Sequence, residues 1–409
     1  MLTEGKWAQG KDRRQRLLLL VAPRRLAYNS CMLGDSVALA DGLWLVEGEE
    51  PGADHRFPDV PNVLLYRCNS RLTLIDSGVG PAMRQALAGL LDEAAPAGSF
   101  TLLNTHGHAD HVANNDLIRE APAPTQSKRH YLSRPGLELL DADTYLARQY
   151  HILSDYYDPL AGFAGQPWKF RLAATARDLL SPLIGVERAY RWLMPLSRHR
   201  FHPYEPSRAT IRFFEDLPQE TITIGGRNWE GWVLPEEGVW VLPDRAHSPD
   251  HVLFYLPDQR LLHTGDLTFD IFNAWPDSDS DRIREMIGRV IELVAAGAVT
   301  VLTDSHHRQV LRGEEPITFF LKRLLADDLK FRQVLASIVR ANPGATVPQL
   351  YRHLKERRDT EKVVDHYLGL EYPQTRSTMQ AVILLTLLDM GCRCEGVTRQ
   401  NRFFLPPRR

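Results

Sequence analysis

Thr105-His106-Gly107-His108-Ala109-Asp110-His111 is the stretch on which the reading of this chain turns. The apolar run Phe100–Leu103, whose β-type residues predict a strand, runs into it through Asn104. In extended chain His106 and His108 project to one side, and Asp110 and His111 follow where a turn aims them at a second point nearby. With 15 His in 409 residues, a chance H-x-H-x-D-H match has a probability of roughly 10⁻³, so surface histidines on a polar loop are a poor account of it. Neutral imidazoles with a carboxylate suit a borderline divalent ion, zinc first, with iron or manganese as alternatives.

Outward from the motif the pattern is short β-type runs separated by turn residues. Leu43–Val46, Val63–Tyr66 and Leu72–Ile75 read as strands, the last running into Asp76-Ser77-Gly78, and Ala82–Leu91 has helical apolar spacing. Strands alternating with helices, with polar loops at strand ends, predict an α/β domain. Three later residues sit at similar strand-to-loop transitions. His247 follows Val239–Leu242, Asp266 follows Leu261–Leu262, and His306 follows Val301–Leu302. Behind the first motif they complete a candidate binuclear site.

The order H-x-H-x-D-H, His, Gly-Asp, His resembles the metallo-β-lactamase-fold hydrolases, as does Leu74-Ile75-Asp76-Ser77-Gly78. The resemblance implies a four-layer αββα sandwich with a metal site at one edge between two sheets. It implies that His106, His108 and His247 hold one ion, that Asp110, His111 and His306 hold a second, and that Asp266 bridges them. The bridging carboxylate is similar to the glyoxalase II-like and lactonase branches. The sequence departs from the family pattern at Ala246 and Asp250, where glycines are common. Beside them His251 is a second imidazole, near enough to be considered for leaving-group protonation. In Ser305-His306-His307 either histidine is available as the last ligand.

The first half of the metallohydrolase domain is expected over 1–127 and the second over 211–325. Between them, over 128–210, apolar residues recur at helical spacing through Leu137–Tyr157 and Leu172–Leu196, which predicts a helical insertion. Lys169 to Arg212 carries nine Lys/Arg against three Asp/Glu. Tyr145, Tyr150, Tyr156, Tyr157, Phe163, Trp168 and Phe170 are candidates for a lid, or else for the core of an amphipathic layer. Arg171, Arg177, Arg188, Arg191, Arg198 and Arg200 are candidates for an anionic handle such as phosphopantetheine or coenzyme A, or else are solvated. Over 326–409, helices at Lys330–Arg340, Val347–Arg357 and Thr378–Met390 and a ribbon around Arg399-Gln400-Asn401 resemble a winged helix. Tyr351 to Arg409 has eleven Lys/Arg and seven Asp/Glu, mild enough to favour a packing surface over nucleic-acid binding.

Composition bounds the rest. A chain 44% hydrophobic and 24% charged, with net charge −2, is globular rather than disordered or generally basic. Four cysteines are too few for a disulfide scaffold and predict a reducing, cytoplasmic setting. The run Leu17–Ala22, closed by Pro23, is too short for a signal-peptide core or a membrane span and reads as a strand or ordered tail. No G-x-S-x-G elbow is present. Taken with the resemblance, the expected activity is metal-dependent hydrolysis of a thioester, ester or lactone, with Asp110 orienting a hydroxide shared by two ions. The alternatives are a phosphodiesterase or nuclease on the same site, a mononuclear-iron dioxygenase, and a non-enzymatic protein with a structural metal.

Overall fold

The computed structural model describes residues 33–49, 59–93, 98–162, 167–193, 211–269, 271, 274–370, 376–396 and 399–406. Leu17–Ala22, Cys31, Phe163, Arg198 and Arg200 lie outside the described residues, as do the side chains of Trp168 and Phe170. No helix among the described residues is long and apolar enough to cross a membrane.

The first sheet takes its strands in chain order: β1 (Ser36–Ala40), β2 (Leu43–Val46), β3 (Val63–Cys68), β4 (Arg71–Ile75), β5 (Ser99–Leu103), β6 (Lys128–Leu132) and β7 (Ile211–Phe213). It is antiparallel as far as β4 and parallel from β4 to β7. The second sheet holds β8 (Glu220–Ile224), β9 (Arg227–Leu234), β10 (Val239–Pro243), β11 (Val252–Leu256), β12 (Leu261–His263), β13 (Val301–Thr303) and β14 (Leu311–Arg312). Only its β12–β13 pair is parallel.

Side-chain alternation along the strands explains the layering. Leu43, Leu45, Leu64, Tyr66 and Ile75 meet Val239, Val241, Val252 and Phe254 in a core between the sheets. The intervening residues of the first sheet, among them Val63, Leu65, Leu72 and Leu74, pack outward on Met83, Leu87 and Leu91 of α1 (Gly80–Glu93). On the other side, α7 (Ser280–Ala295) covers the second sheet with Ile283, Met286, Ile287, Val290 and Val294. Strands buried on both faces read as continuous apolar runs, and the result is the four-layer αββα sandwich.

Two expectations are corrected here. Helical patterning was expected from about residue 128, yet Lys128–Leu132 is β6, its last three residues buried in the first sheet. Parallel β6 and β7 need a crossover, and the helical segment between them supplies it. After the short α2 (Ala109–Val112) of the H-x-H loop, that crossover is built from α3 (Gly136–Leu139), α4 (Ala142–Ser154), α5 (Pro167–Ile184) and α6 (Val186–Leu193). The helix expected at Lys330–Arg340 is the second half of α8 (Glu314–Ala341). Ile317, Phe320, Leu321 and Leu324 of α8 lie on the second sheet, whereas Phe331, Val334, Leu335 and Ile338 enter the C-terminal core. Residue 326 thus falls inside a continuous helix.

The C-terminal part contains α9 (Val347–Lys355), α10 (Lys362–Gly369), α11 (Arg376–Asp389) and the ribbon β15 (Arg393–Glu395) and β16 (Arg402–Phe404). Thr346 and Gln349 form a capping box at the start of α9. Met379 to Leu384 of α11 are buried at every position, so this helix serves as core.

Arg177 of α5 is fully buried. Its guanidinium donates to Asp158 at 2.6 and 3.1 Å, to Asp178 at 3.0 Å and to the Tyr190 hydroxyl at 3.0 Å. Arg399 of the C-terminal part joins through Asp178 at 2.9 Å. Arg177→Ala leaves Asp158 and Tyr190 short of a partner. Because Asp158 is 28% exposed, the cost falls below that of a fully buried pair, at about 2–3 kcal/mol. A denaturant-midpoint shift of the variant measures it, and an unchanged midpoint contradicts a structural role for this ion pair.

Candidate metal centre

All seven residues expected from the motifs come together where strands of both sheets end. β5 leads into His106, His108, Asp110 and His111, the β10–β11 loop carries His247, β12 leads to Asp266 and β13 to His306. Their donor atoms form two groups. His106, His108 and His247 make one, and Asp110, His111, Asp266 and His306 make the other.

Local steric limits aim the side chains. A Cβ on Gly107 would stand 2.7 Å from the Gly136 carbonyl oxygen and 2.8 Å from Leu139 Cβ, so H-x-H closes only around glycine. Gly265 has φ +52°, and a Cβ there would lie 2.5 Å from His251 Nε2. Asp304 accepts from the backbone N–H groups of His306 and His307, at 2.9 and 2.6 Å, and binds His307 Nδ1 at 2.8 Å. This clamp turns His306 into the site, while His307 packs on Phe320. Of the two histidines, His306 is the one whose ring nitrogen joins the group of Asp110, His111 and Asp266.

The outer hydrogen bonds determine which ring nitrogens face inward. Thr105 gives its hydroxyl proton to Asp76 Oδ2 at 2.7 Å, so it accepts from His106 Nδ1 at 3.0 Å. His111 Nδ1 lies 2.9 Å from Asp76 Oδ2. His108 turns Nε2 to the Tyr145 hydroxyl at 2.9 Å. His106 Nε2 is then a bare lone pair facing inward, and His106 Nε2, His108 Nδ1 and His247 Nε2 are separated by 2.9 and 3.1 Å along the chain of three. Nitrogens about 2.0–2.1 Å from a shared tetrahedral ion stand roughly 3.3 Å apart, so the spacing fits one ion. In the second group the buried His111 Nε2 and Asp266 Oδ1 lack hydrogen-bond partners and lie 3.2 Å apart. Asp266 Oδ2 stands 3.3 Å from His306 Nε2, 3.5 Å from His247 Nε2 and 3.8 Å from His106 Nε2, between the groups.

Electrostatics divide the groups in the same way. Burial, reinforced by neighbouring imidazoles, holds His106 and His108 well below the usual histidine range, and burial holds His247 down to about 4. Burial by itself would raise Asp266, but His111, His306 and His247 keep it well below the usual carboxylate range. Burial works against the cationic forms of His111 and His306, yet Asp266 and Asp110 push both upward. The carboxylates thus favour positive charge where a divalent cation would lie. Asp110, with its side chain 17% exposed, and His247, at 13%, are the most accessible members and mark the open side.

His251 is corrected as a proton donor to a leaving group. It is fully buried, its Nδ1 2.7 Å from Asp244 and its Nε2 accepting from the Asp266 N–H at 3.1 Å. Its work is to hold the Asp266 turn. Tyr157 of the expected lid is a core residue and Tyr150 is partly buried against the core, while Arg177 and Arg191 are paired with acidic residues. Sequence reasoning placed Tyr145 only among the lid aromatics, not behind a metal-facing histidine, and assigned no role to Asp277, Asp244 or Asp304. Only Asp76, in its strand-end Asp-Ser-Gly turn, gave a visible signal.

The profile of the Metallo-beta-lactamase superfamily matches residues 56–312. The comparison with curated proteins returned no match. A metallo-beta-lactamase family protein from Thermus thermophilus is similar at 18% identity with TM-score 0.51, over 90% of this chain and 100% of that one. A beta-lactamase domain protein from Burkholderia ambifaria is 17% identical with TM-score 0.47, over 91% and 94% of the two chains. The stereoselective inverting sec-alkylsulfatase Pisa1 from Pseudomonas sp. is 14% identical with TM-score 0.46, over 85% and 49%. The profile match spans more than half of the sequence and contains every one of the candidate ligands from His106 to His306, and on it the chain belongs to the metallo-beta-lactamase superfamily.

Proposed function

We propose that this protein is a binuclear metallohydrolase acting on a thioester or a related ester or lactone. The observation that carries the binuclear reading is the position of Asp266, whose Oδ2 lies within 3.3–3.8 Å of imidazoles from both groups. A mononuclear-iron dioxygenase would leave His306 idle, whereas its Nε2 faces Asp266 and Asp110 at 3.3 and 3.7 Å.

His106, His108 and His247 would hold one divalent ion, Asp110, His111 and His306 the other, with Asp266 shared. Zinc suits the nitrogen-rich set, with iron or manganese as alternatives. When bound, such ions supply water made nucleophilic at neutral pH and polarise the electrophile. The protein's own residues do the rest. Asp110, held ionised by His111 and His306 against the effect of burial, lies at the open side, where it can orient the attacking water. Trp275 beside His108 and Phe269 beside His306 wall the centre on opposite groups and limit water. The preference for thioesters, including acyl groups on phosphopantetheine or coenzyme A, rests on the bridging carboxylate that resembles the glyoxalase II-like branch. The C-terminal helices are read as a wall of the hydrolase rather than a nucleic-acid reader, and the setting as cytoplasmic.

Elemental mass spectrometry of protein purified without chelators should find about two divalent ions per chain, and a single iron contradicts the binuclear reading. Asp266→Ala should lower both metal retention and hydrolysis by about 10²-fold or more, because a direct ligand matters no less than an outer partner. Unchanged values for both overturn the site. Across thioester, lactone, carboxylester and phosphodiester panels, metal-dependent turnover is expected on the first three. Turnover confined to phosphodiesters would transfer the assignment to the phosphodiesterase class.

A further inference from the structure

The two metal groups differ in what stands behind them. His111 leans on Asp76 at the end of β4, and His306 packs against Phe269 in the loop after Asp266. His108 instead reaches into the inserted helices, where Tyr145 of α4 meets its Nε2 at 2.9 Å. The Tyr145 hydroxyl donates to Asp277 Oδ1 at 3.1 Å. A hydroxyl has one proton to give. With that proton on Asp277, Tyr145 can only accept from His108, so Nε2 carries the ring proton and Nδ1 faces inward bare.

Asp277 is itself held in place. Gln149, one turn after Tyr145 on α4, donates to Asp277 Oδ2 at 3.3 Å. The next residue, Ser278, donates to the His247 carbonyl at 2.7 Å, and the Asp279 N–H donates to the Ala246 carbonyl at 2.8 Å. Trp275 of the same loop packs on both His108 and Tyr145, with ring centroids 6.1 and 5.9 Å away. The loop 274–279 therefore ties His108 and His247 together from behind, and α4 secures the loop.

We propose that Tyr145, backed by Asp277, is a positioning residue that sets the inward tautomer of His108, so that the insertion completes the His106–His108–His247 position and leaves the Asp110–His111–His306 position independent of it. This rests on the binuclear reading above. Outer partners of metal-bound histidines matter because they determine ring orientation and ligand basicity, typically by about 10–100-fold in affinity.

The test is a chelator titration of purified full-length protein loaded with zinc, following metal retained per chain, beside thermal unfolding of the metal-free form. Tyr145→Phe keeps the ring and its packing and removes only the hydroxyl. It should convert the titration to two steps, one ion leaving at about 10–100-fold lower chelator and the other as in the wild type. Asp277→Ala should do the same, since it frees the Tyr145 proton for His108 Nε2 and permits the wrong tautomer. The metal-free midpoint of Tyr145→Phe should fall only by the small amount that a lost buried hydrogen bond is worth, with the unfolding still cooperative, which separates positioning from loss of structure. Two ions retained as tightly as in the wild type by both variants would overturn the inference while leaving the binuclear reading intact. Wild-type protein that binds no zinc would overturn that reading and this inference with it.

Discussion

Lone pairs forced together away from water are the constraint around which this protein is organised. His106 Nε2 and His108 Nδ1 stand 2.9 Å apart with their protons committed on the far sides of the rings. Beside them Asp266 and Asp110 are ionised in a largely buried setting. Such an arrangement is costly unless a cation lies within it, and the fold is what imposes it. The parallel register of β4 and β5 sets Ile75 opposite Leu103, which brings Asp76 beside Thr105. Asp76 takes a left-handed backbone at φ +61° to reach this position and serves Thr105 and His111 at once. One carboxylate behind the first motif thereby orients a ring in each group.

The appended segments extend that organisation. Leu153 and Tyr157 of the insertion lie in the same core as α9, α10 and α11, and Arg399 and Asn401 of the C-terminal part bond Asp178 and the Asp155 carbonyl of the insertion. Because α8 runs unbroken from the second sheet into that core, the sandwich, the C-terminal helices and the insertion close into a ring of contacts. A helix that supplies a hydrogen bond to a metal-facing histidine must be held to within tenths of an ångström. The C-terminal core gives α4 this support, which is a physical reason for the third body of helices to be present.

Much of this was legible in the sequence alone. The two-residue spacing of His106 and His108, the strand before them and the later strand-end residues pointed to a metal site on an α/β domain, because metal ligands on loops and apolar runs in strands are local signals, while the sandwich and its edge came with the family resemblance. What stayed hidden was set by contacts between distant segments. β6 carries Lys128, Arg129 and His130, a polar start that masks a strand whose side chains are buried by neighbours. His306 and His307 are equivalent in sequence, and only the clamp of Asp304 separates them. Tyr145 read as one aromatic among seven, since its role depends on Asp277, 132 residues away.

The departures from the family pattern make sense in the same terms. Asp250 stands where a glycine is common, and its buried carboxylate accepts from the Gly107 N–H at 2.7 Å and from Ser248 Oγ at 2.7 Å. Room for it exists because α3 begins with Gly136, where a Cβ would lie 2.5 Å from Asp250 Oδ2. Asp250 thus bonds the loop of H-x-H to the loop of His247 across the first residue of the insertion, just as Asp277 joins His108 to the same loop through α4. Two carboxylates absent from the motif make parallel ties at the same seam. The unusual spacing between His111 and His247 and the unusual residues after His247 are therefore one adaptation: a site whose first metal position is built partly from the sheets and partly from the helices inserted between them.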